Sequence, residues 1–364
     1  MKLTNRQLSL LEKATQLIAV SGAEDEVRLF LKKEFESKGL PIVSDNLGSI
    51  YAYKKANHPK AFKVMLAGHM DEIGFMVLYI MDNGLIKAAP LGGHSKENLA
   101  SQRVVLKAKD GRKYFGAITS IPPHLKKDKN GQVSEDKFID DLLFDFGFVS
   151  KEDAEKAGVS IGNSIVILGD FKVLNVGQRL LAKAFDNRYG IALLLDLLDE
   201  LANEQLPFDL YLGANVQEEV GLRGAQTSAQ AIKPDLAIVL DCSPARDIGD
   251  DKNEYGKLGE GVLIRYLDRS MIAFPELLDL QIKACQNTGV KYQYFDSPGG
   301  TDAGTIHKAN SGALTLTHCI CARGIHSPSS MIDVDDYLAA KKSLLYILRN
   351  LDNKTLLALK KARQ

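Results

Sequence analysis

The sequence predicts an α/β protein: a mixed, largely parallel sheet sandwiched by helices, with a small β-domain inserted into it. Three features carry this expectation. Helical and strand-like segments alternate at both ends of the chain, the pattern that builds parallel sheets from β–α–β units. The run "AFKVMLAGH" (61–69) is apolar on both faces, as a strand covered by helices on both sides must be. From Ile73 to Asn175 the texture changes to short strands with hairpin turns at Asp82-Asn83-Gly84 and Asp110-Gly111.

The elements follow in order. Thr4 or Asn5 caps a first amphipathic helix, "RQLSLLEKATQLIAV", and "EDEVRLFLKKEFESKG" forms a second. The strands "GSIYAYKK" and "AFKVMLAGH" come next, the latter ending at His69. The inserted segment contains the polar stretch "HLKKDKNGQVSEDKF", which reads as a mobile loop. Alternation resumes with the long helix "NRYGIALLLDLLDELANEQ". After it come "FDLYLGANV", "DLAIVLDCS", "GVLIRYLD", the helix "PELLDLQIKACQNTG", "KYQYFDS", "ALTLTHCICA" and a terminal helix after Val334. The expected division is residues 1–71 and 171–364 for the main domain and 72–170 for the insertion.

Composition narrows the function. A chain of 364 residues exceeds what one compact core usually serves. Lys+Arg and Asp+Glu both total 46, so no basic field draws nucleic acid or an anionic membrane. The N-terminus lacks the apolar core and cleavage site of a secretory signal, and no later run is long enough to span a bilayer; a cytoplasmic protein is expected. Cys242, Cys285, Cys319 and Cys321 show no C-x-x-C spacing and suit reduced core thiols.

In open α/β sheets ligands gather beyond the carboxyl ends of the strands. His69 and Asp71 stand there, as do Glu218 and Glu219 in "NVQEEVGLRGA", Asp241, and His326 in "ARGIHSP"; Asp186 in "AFDNRYG" opens the long helix. Two histidines with several carboxylates make a mixed N/O set suited to zinc, cobalt or manganese. The carboxylates are too many for one zinc ion, whereas a bridged pair of metals uses them all and lets Glu218 and Glu219 stay ionised side by side. The remaining histidines (His58, His94, His124, His307, His318) read as structural or peripheral. Asp302 in "GGTDAGTIH" reads as a helix N-cap. The chain has neither a P-loop nor a Rossmann fingerprint, and it lacks a G-x-S-x-G elbow.

"GHMDEIGFMV", "AFDNRYG", "NVQEEVGLRGA", "IVLDCSPA", "GGTDAG" and "ARGIHSP" together resemble the ordered motif set of the di-zinc aminopeptidases that include the glutamyl, tetrahedral and deblocking enzymes. "SIPPHL" is similar as well, and the likeness runs over essentially the whole chain. It implies a zinc-aminopeptidase-like sandwich and two divalent metal ions per subunit, zinc or cobalt. His69, Asp186 and Asp241 would hold one metal, and Asp186, Glu219 and His326 the other, with Asp186 as the bridge. Glu218 falls on the general base, and Asp71 on the carboxylate that orients His69. The inserted domain would mediate dimer contacts within a tetrahedral dodecamer that admits short peptides. One departure is Gly324, where the family more often carries a bulkier residue such as Tyr.

"YLGANVQEEVGLRGAQTS", "LDCSPA", "LIRYLD" and "KYQYF" look most like glutamyl aminopeptidases, which remove N-terminal Glu and Asp. An acidic side chain needs a cation, and Arg265 is the candidate, with Arg269 and Arg323 behind it. A leucyl or broad-specificity, deblocking-type enzyme is the alternative within the family. Outside it stand a non-catalytic metal-binding protein and a glycoside hydrolase, for which paired acids alone would serve.

Overall fold

A computed structural model describes residues 2–58, 60–119, 142–174, 177–249 and 255–362. "HLKKDKNGQVSEDKF" and "SIPPHL" lie outside these residues.

Helices α1 (Asn5–Gln16) and α2 (Asp25–Ser37) lead into β1 (Ile42–Ser44), β2 (Ile50–Lys54) and β3 (Lys63–His69). Thr4 caps α1: its hydroxyl accepts from the Gln7 N–H while the Gln7 side chain accepts from the Thr4 N–H, which satisfies two otherwise orphaned donors. Then come β4 (Gly74–Ile80), β5 (Ile86–Leu91), β6 (Arg103–Lys107), β7 (Lys113–Ile118), β8 (Leu143–Asp145), α3 (Lys151–Lys156), β9 (Ser164–Ile167), β10 (Lys172–Val173) and β11 (Arg179–Ala182). The chain continues through α4 (Phe185–Leu201), β12 (Asp209–Asn215), α5 (Arg223–Ile232), β13 (Leu236–Pro244), β14 (Val262–Asp268), α6 (Pro275–Thr288), β15 (Tyr292–Ser297) and α7 (Ala303–Ile306). It closes with β16 (Leu314–Ala322), β17 (Ser330–Asp333), α8 (Val334–Asn350) and α9 (Asn353–Lys361).

Eight strands form the central sheet in the order β1-β2-β12-β3-β13-β16-β14-β15. The middle pairs β12/β3, β3/β13 and β13/β16 are parallel, as is β14/β15, whereas β1/β2, β2/β12 and β14/β16 are antiparallel. This is the mixed, largely parallel sheet expected. The long helix α4 lies against its centre, with Tyr189, Ile191, Leu194, Leu197 and Leu198 in the main core beside Val64, Leu66 and Ile238. At about 25 cal/mol per Å² of apolar surface removed from water, such side chains contribute roughly 2 kcal/mol each. Strands β13 and β16 are buried along nearly their whole length, the signature of parallel strands covered on both faces.

Strands β4 to β9 close into a barrel, order β4-β5-β8-β7-β6-β9. It has its own core of Phe75, Val77, Ile86, Val104, Leu106, Phe144 and Ile165. Both turn signals sit at hairpins, Gly84 (φ +83°) between β4 and β5 and Gly111 (φ +87°) between β6 and β7. No helix among the described residues is long and apolar enough to cross a membrane. All four cysteines are buried and free.

Candidate metal centre

The parallel register carries the chemistry to one edge. His69 is the last residue of β3 and pairs with Asn215, the last of β12, so the Glu218-Glu219 loop emerges beside it. Asp241 lies in β13 next door, and Asp186 sits at the start of α4 with non-helical φ/ψ, where the Asp186–Asn187 peptide is cis. His326 comes from the turn between β16 and β17 in left-handed backbone, φ +59°.

Asp186 spans the two histidines: its Oδ1 lies 3.0 Å from His69 Nε2 and its Oδ2 3.3 Å from His326 Nε2. His69 Nε2 is also 3.7 Å from Asp241 Oδ1, and His326 Nε2 is 3.4 Å from Glu219 Oε2. Ligand atoms of His69, Asp186 and Glu219, and separately of His69, Glu218 and Asp241, all fall within 4.8 Å of one another. Glu219 Oε1 is buried with no hydrogen-bond partner among the described residues. Imidazoles and carboxylates converging around an orphaned buried oxygen fit divalent cations and little else, because unpaired buried carboxylates are costly.

The electrostatics agree. Burial and the Asp186 charge push Glu219 up to about 8. Burial likewise raises Glu218 far above the usual carboxylate range, with Asp241, Asp302 and Glu219 adding to it against His69. Burial opposes a charged His326, but Asp186 and Glu219 outweigh it and hold the imidazole at about 9. The Glu219 and His326 protons are the ones a metal must displace, since ligation needs neutral histidine and ionised carboxylate. Metal binding at pH 7 is therefore expected to release protons, with apparent affinity rising as pH climbs toward about 9. Calorimetric titration in buffers of different ionisation enthalpy checks this; heats independent of buffer would contradict it.

Asp71 has a larger part than orienting His69. Its Oδ1 accepts the Glu218 N–H at 3.0 Å, and its Oδ2 accepts the Glu219 N–H at 3.1 Å and the Ser21 hydroxyl at 2.6 Å. His69 Nδ1 lies closer to the Asp71 carbonyl (3.1 Å) than to its carboxylate (3.5 Å). Burial works against the ionised form, but His69, Ser21 and the Glu218 amide outweigh it and keep Asp71 below its ordinary range. One fixed anion thus sets both the imidazole and the two-glutamate loop.

Arg265 is a correction. Instead of facing a substrate, it is buried, with its Nε 2.9 Å from Asp268 and its other nitrogens donating to Ser243 Oγ and the Gly299 carbonyl. Its charge is spent on Asp268, and it ties the strand of Asp241 to the Gly-rich loop. Arg323, held by both oxygens of Asp247, is similarly committed. Asp302 is a second correction: it precedes α7 but its side chain caps nothing. Its Oδ2 accepts from Asn215 Nδ2 at 2.8 Å, and the Asn215 Oδ1 accepts from Tyr51 and Ser228. Gly324 takes φ +58°, left-handed backbone that suits glycine.

Sequence reasoning missed the support beneath the site. Arg188, fully buried, donates to the carbonyls of Met70, Ala14, Leu17 and Ala19 and to Glu72, which Lys183 also holds. Arg188 lies two residues after Asp186 in a motif already singled out, so its proximity to a ligand was the one available signal.

A helix-flanked, largely parallel sheet with this His/carboxylate cluster at its strand ends defines a metallo-aminopeptidase. The family described as M42 glutamyl aminopeptidase matches residues 48–342, and the chain belongs to it. Among curated relatives, the glutamyl aminopeptidase of Lactococcus lactis subsp. cremoris is 37% identical over 346 residues, covering 95% of this chain and 97% of that one. A TET aminopeptidase from a marine sediment archaeon (Thaumarchaeota) superposes with a TM-score of 0.90 at 33% identity, covering 97% and 99%. The Pyrococcus horikoshii TET1 peptidase, which can assemble into a tetrahedron or a large octahedral shell, does so with 0.83 at 27%, covering 95% and 100%.

Proposed function

We propose that the protein removes N-terminal Glu and Asp from short peptides with two divalent metal ions, zinc or cobalt, per subunit. The observation that carries the two-metal reading is Asp186, whose two oxygens face a different histidine each. His69, Asp186 and Asp241 would hold one ion, and Asp186, Glu219 and His326 the other. Bound there, the ions supply Lewis-acid activation of the scissile carbonyl and of water. Glu218, outside both sets, takes the proton of the attacking water on its carboxylate and passes it to the leaving amine. Asp71 fixes the Glu218 N–H, so the base is held in place before substrate arrives. The carboxylate-rich site favours a free α-ammonium, and an N-acetylated peptide is expected to be a poor substrate. The adjacency of an unligated Glu218 to the ligands speaks for an enzyme over a passive metal store.

The acidic preference is supported by the relative that bears it; a leucyl or broad-specificity action is the alternative. The test is release from Glu-, Asp-, Leu- and Lys-p-nitroanilide by protein loaded with zinc or cobalt, beside a chelated sample. Faster, metal-dependent turnover of Glu and Asp is expected. Preference for Leu would discard the acidic pocket and keep the chemistry, and activity untouched by verified metal removal would discard the chemistry, as a glycosidase-type use of paired acids requires. Assembly into a tetrahedral dodecamer is proposed as well, supported by the dodecameric and tetrahedral forms of the Pyrococcus horikoshii TET1 relative, and a cytoplasmic location is proposed with it.

A further inference from the structure

His94, read from the sequence as peripheral, belongs to a loop that touches the His326/Glu219 half of the metal centre. The Gly93 carbonyl, just beyond β5 of the barrel, accepts a hydrogen bond from His326 Nδ1 at 2.8 Å. That bond occupies Nδ1 and leaves Nε2, the nitrogen facing Asp186 Oδ2 and Glu219 Oε2, as the one that can give up its proton and ligate a metal. Gly92 stands at φ +83°, and a Cβ there would come within 2.5 Å of Ile73 Cγ2 and 3.3 Å of Glu219 Cβ, so the loop backbone lies directly against the second ligand. A Cβ on Gly93 would meet His326 Nδ1 at 3.4 Å. The loop is anchored to the barrel by His94, whose Nε2 donates to the Gly74 carbonyl at 2.9 Å and whose ring stacks on Phe75 at 4.4 Å and 19°. Phe75 is fully buried in the barrel core.

The other half is braced differently. His69 is held through Nδ1 by the Asp71 carbonyl, two residues along its own chain, and Asp241 is carried by β13 of the central sheet. His326 has no such local device: its ring is a third exposed and its backbone is left-handed.

We infer that the loop Gly92–His94 is a positioning element for the His326/Glu219 half, so that the barrel sets metal affinity chiefly in that half and far less in the His69/Asp241 half, although the two share Asp186. Bonds of this kind behind a ligand histidine are commonly worth 10–100-fold in metal affinity. Gly92→Ala must displace the Ile73 or Glu219 side chain, and His94→Ala frees the loop from β4. His94→Gln keeps an amide N–H able to reach the Gly74 carbonyl.

The inference rests on the two-metal reading, and the test separates the two. Chelated protein is titrated with Co²⁺ by calorimetry and visible absorbance, with folding followed by circular dichroism. The parent chain is expected to bind in two events, one of which is lost in His326→Ala. Gly92→Ala and His94→Ala should weaken that event about 10–100-fold and leave the other within threefold, with His94→Gln recovering part of the loss. Equal weakening of both events in folded variants, or no weakening of either, overturns the inference. A single event in the parent overturns the two-metal reading itself, and the inference with it. Gly92→Ala and His94→Ala perturb the loop from opposite ends, so failure of one to fold leaves the other to decide.

Discussion

Replacing Glu218 by Gln is expected to lower kcat about 10³-fold while leaving metal content unchanged, the loss typical of removing a general base that also returns the proton as an acid. The substitution keeps the shape and the backbone N–H that Asp71 accepts at 3.0 Å, and it removes only the site at which a proton is taken up. Glu218 is half-buried, and its carboxylate sits in a cluster with His69 and Asp241. Because the amide neither accepts the proton of water nor donates one to the leaving amine, both halves of the reaction suffer, and KM should move little. Glu219→Gln should behave differently, losing metal in the His326 half first. The checks are kcat and KM on Glu-p-nitroanilide with metal analysis of the same sample. A Glu218→Gln variant within tenfold of parent activity would sink the assignment; a variant that loses metal would make Glu218 a ligand instead of a base.

The site was legible to the extent that it is built from strand ends. His69, Asp241 and the Glu218-Glu219 loop follow buried apolar runs, and a parallel sheet delivers such positions to one edge whatever the strand order. Asp186 and His326 were picked out by the same placement, but their division between two metals came from the motif resemblance, because each lies in irregular backbone that no periodicity marks: one at a kinked helix start, the other in a left-handed turn. What escaped was every contact made by backbone from far along the chain. Gly93 is 233 residues from His326, and it contributes a carbonyl, which leaves no side-chain signature. Asp302 and Arg265 were read from the sequence as a cap and a substrate-pocket cation. Tertiary packing overrode both: Asp302 is turned to Asn215, and Arg265 is buried against Asp268. Closure of the short strands into a barrel was equally invisible, since each hairpin signal is local whereas closure depends on β4 meeting β9.

Arg188→Met is expected to be strongly destabilising. The guanidinium is completely buried and donates to four backbone carbonyls and to Glu72 Oε1 at 3.0 Å. Those carbonyls belong to the end of α1 and the segment after it (Ala14, Leu17, Ala19) and to Met70, the residue after the ligand His69. One planar fork thus pins the N-terminal helix to α4 and to the end of β3, a geometry that the compact ammonium of Lys cannot reproduce. Methionine fills comparable volume but strips those carbonyls of the guanidinium donor and leaves Lys183 as the one cation paired with Glu72 among the described residues. Breaking a buried pair in this way costs about 3–5 kcal/mol, and each orphaned acceptor adds roughly 1 kcal/mol or more. The expected result is a fall in Tm of roughly 10 °C or more, with Arg188→Lys intermediate. Metal affinity in the His69 half should fall with it, because the Met70 carbonyl is held next to the ligand. Thermal melts of metal-loaded and chelated samples separate the two effects: a loss that persists without metal belongs to the fold, and one confined to the loaded protein belongs to the site. If Arg188→Met melts within 2 °C of the parent, the buried fork is not what joins the helix to the metal-bearing strand.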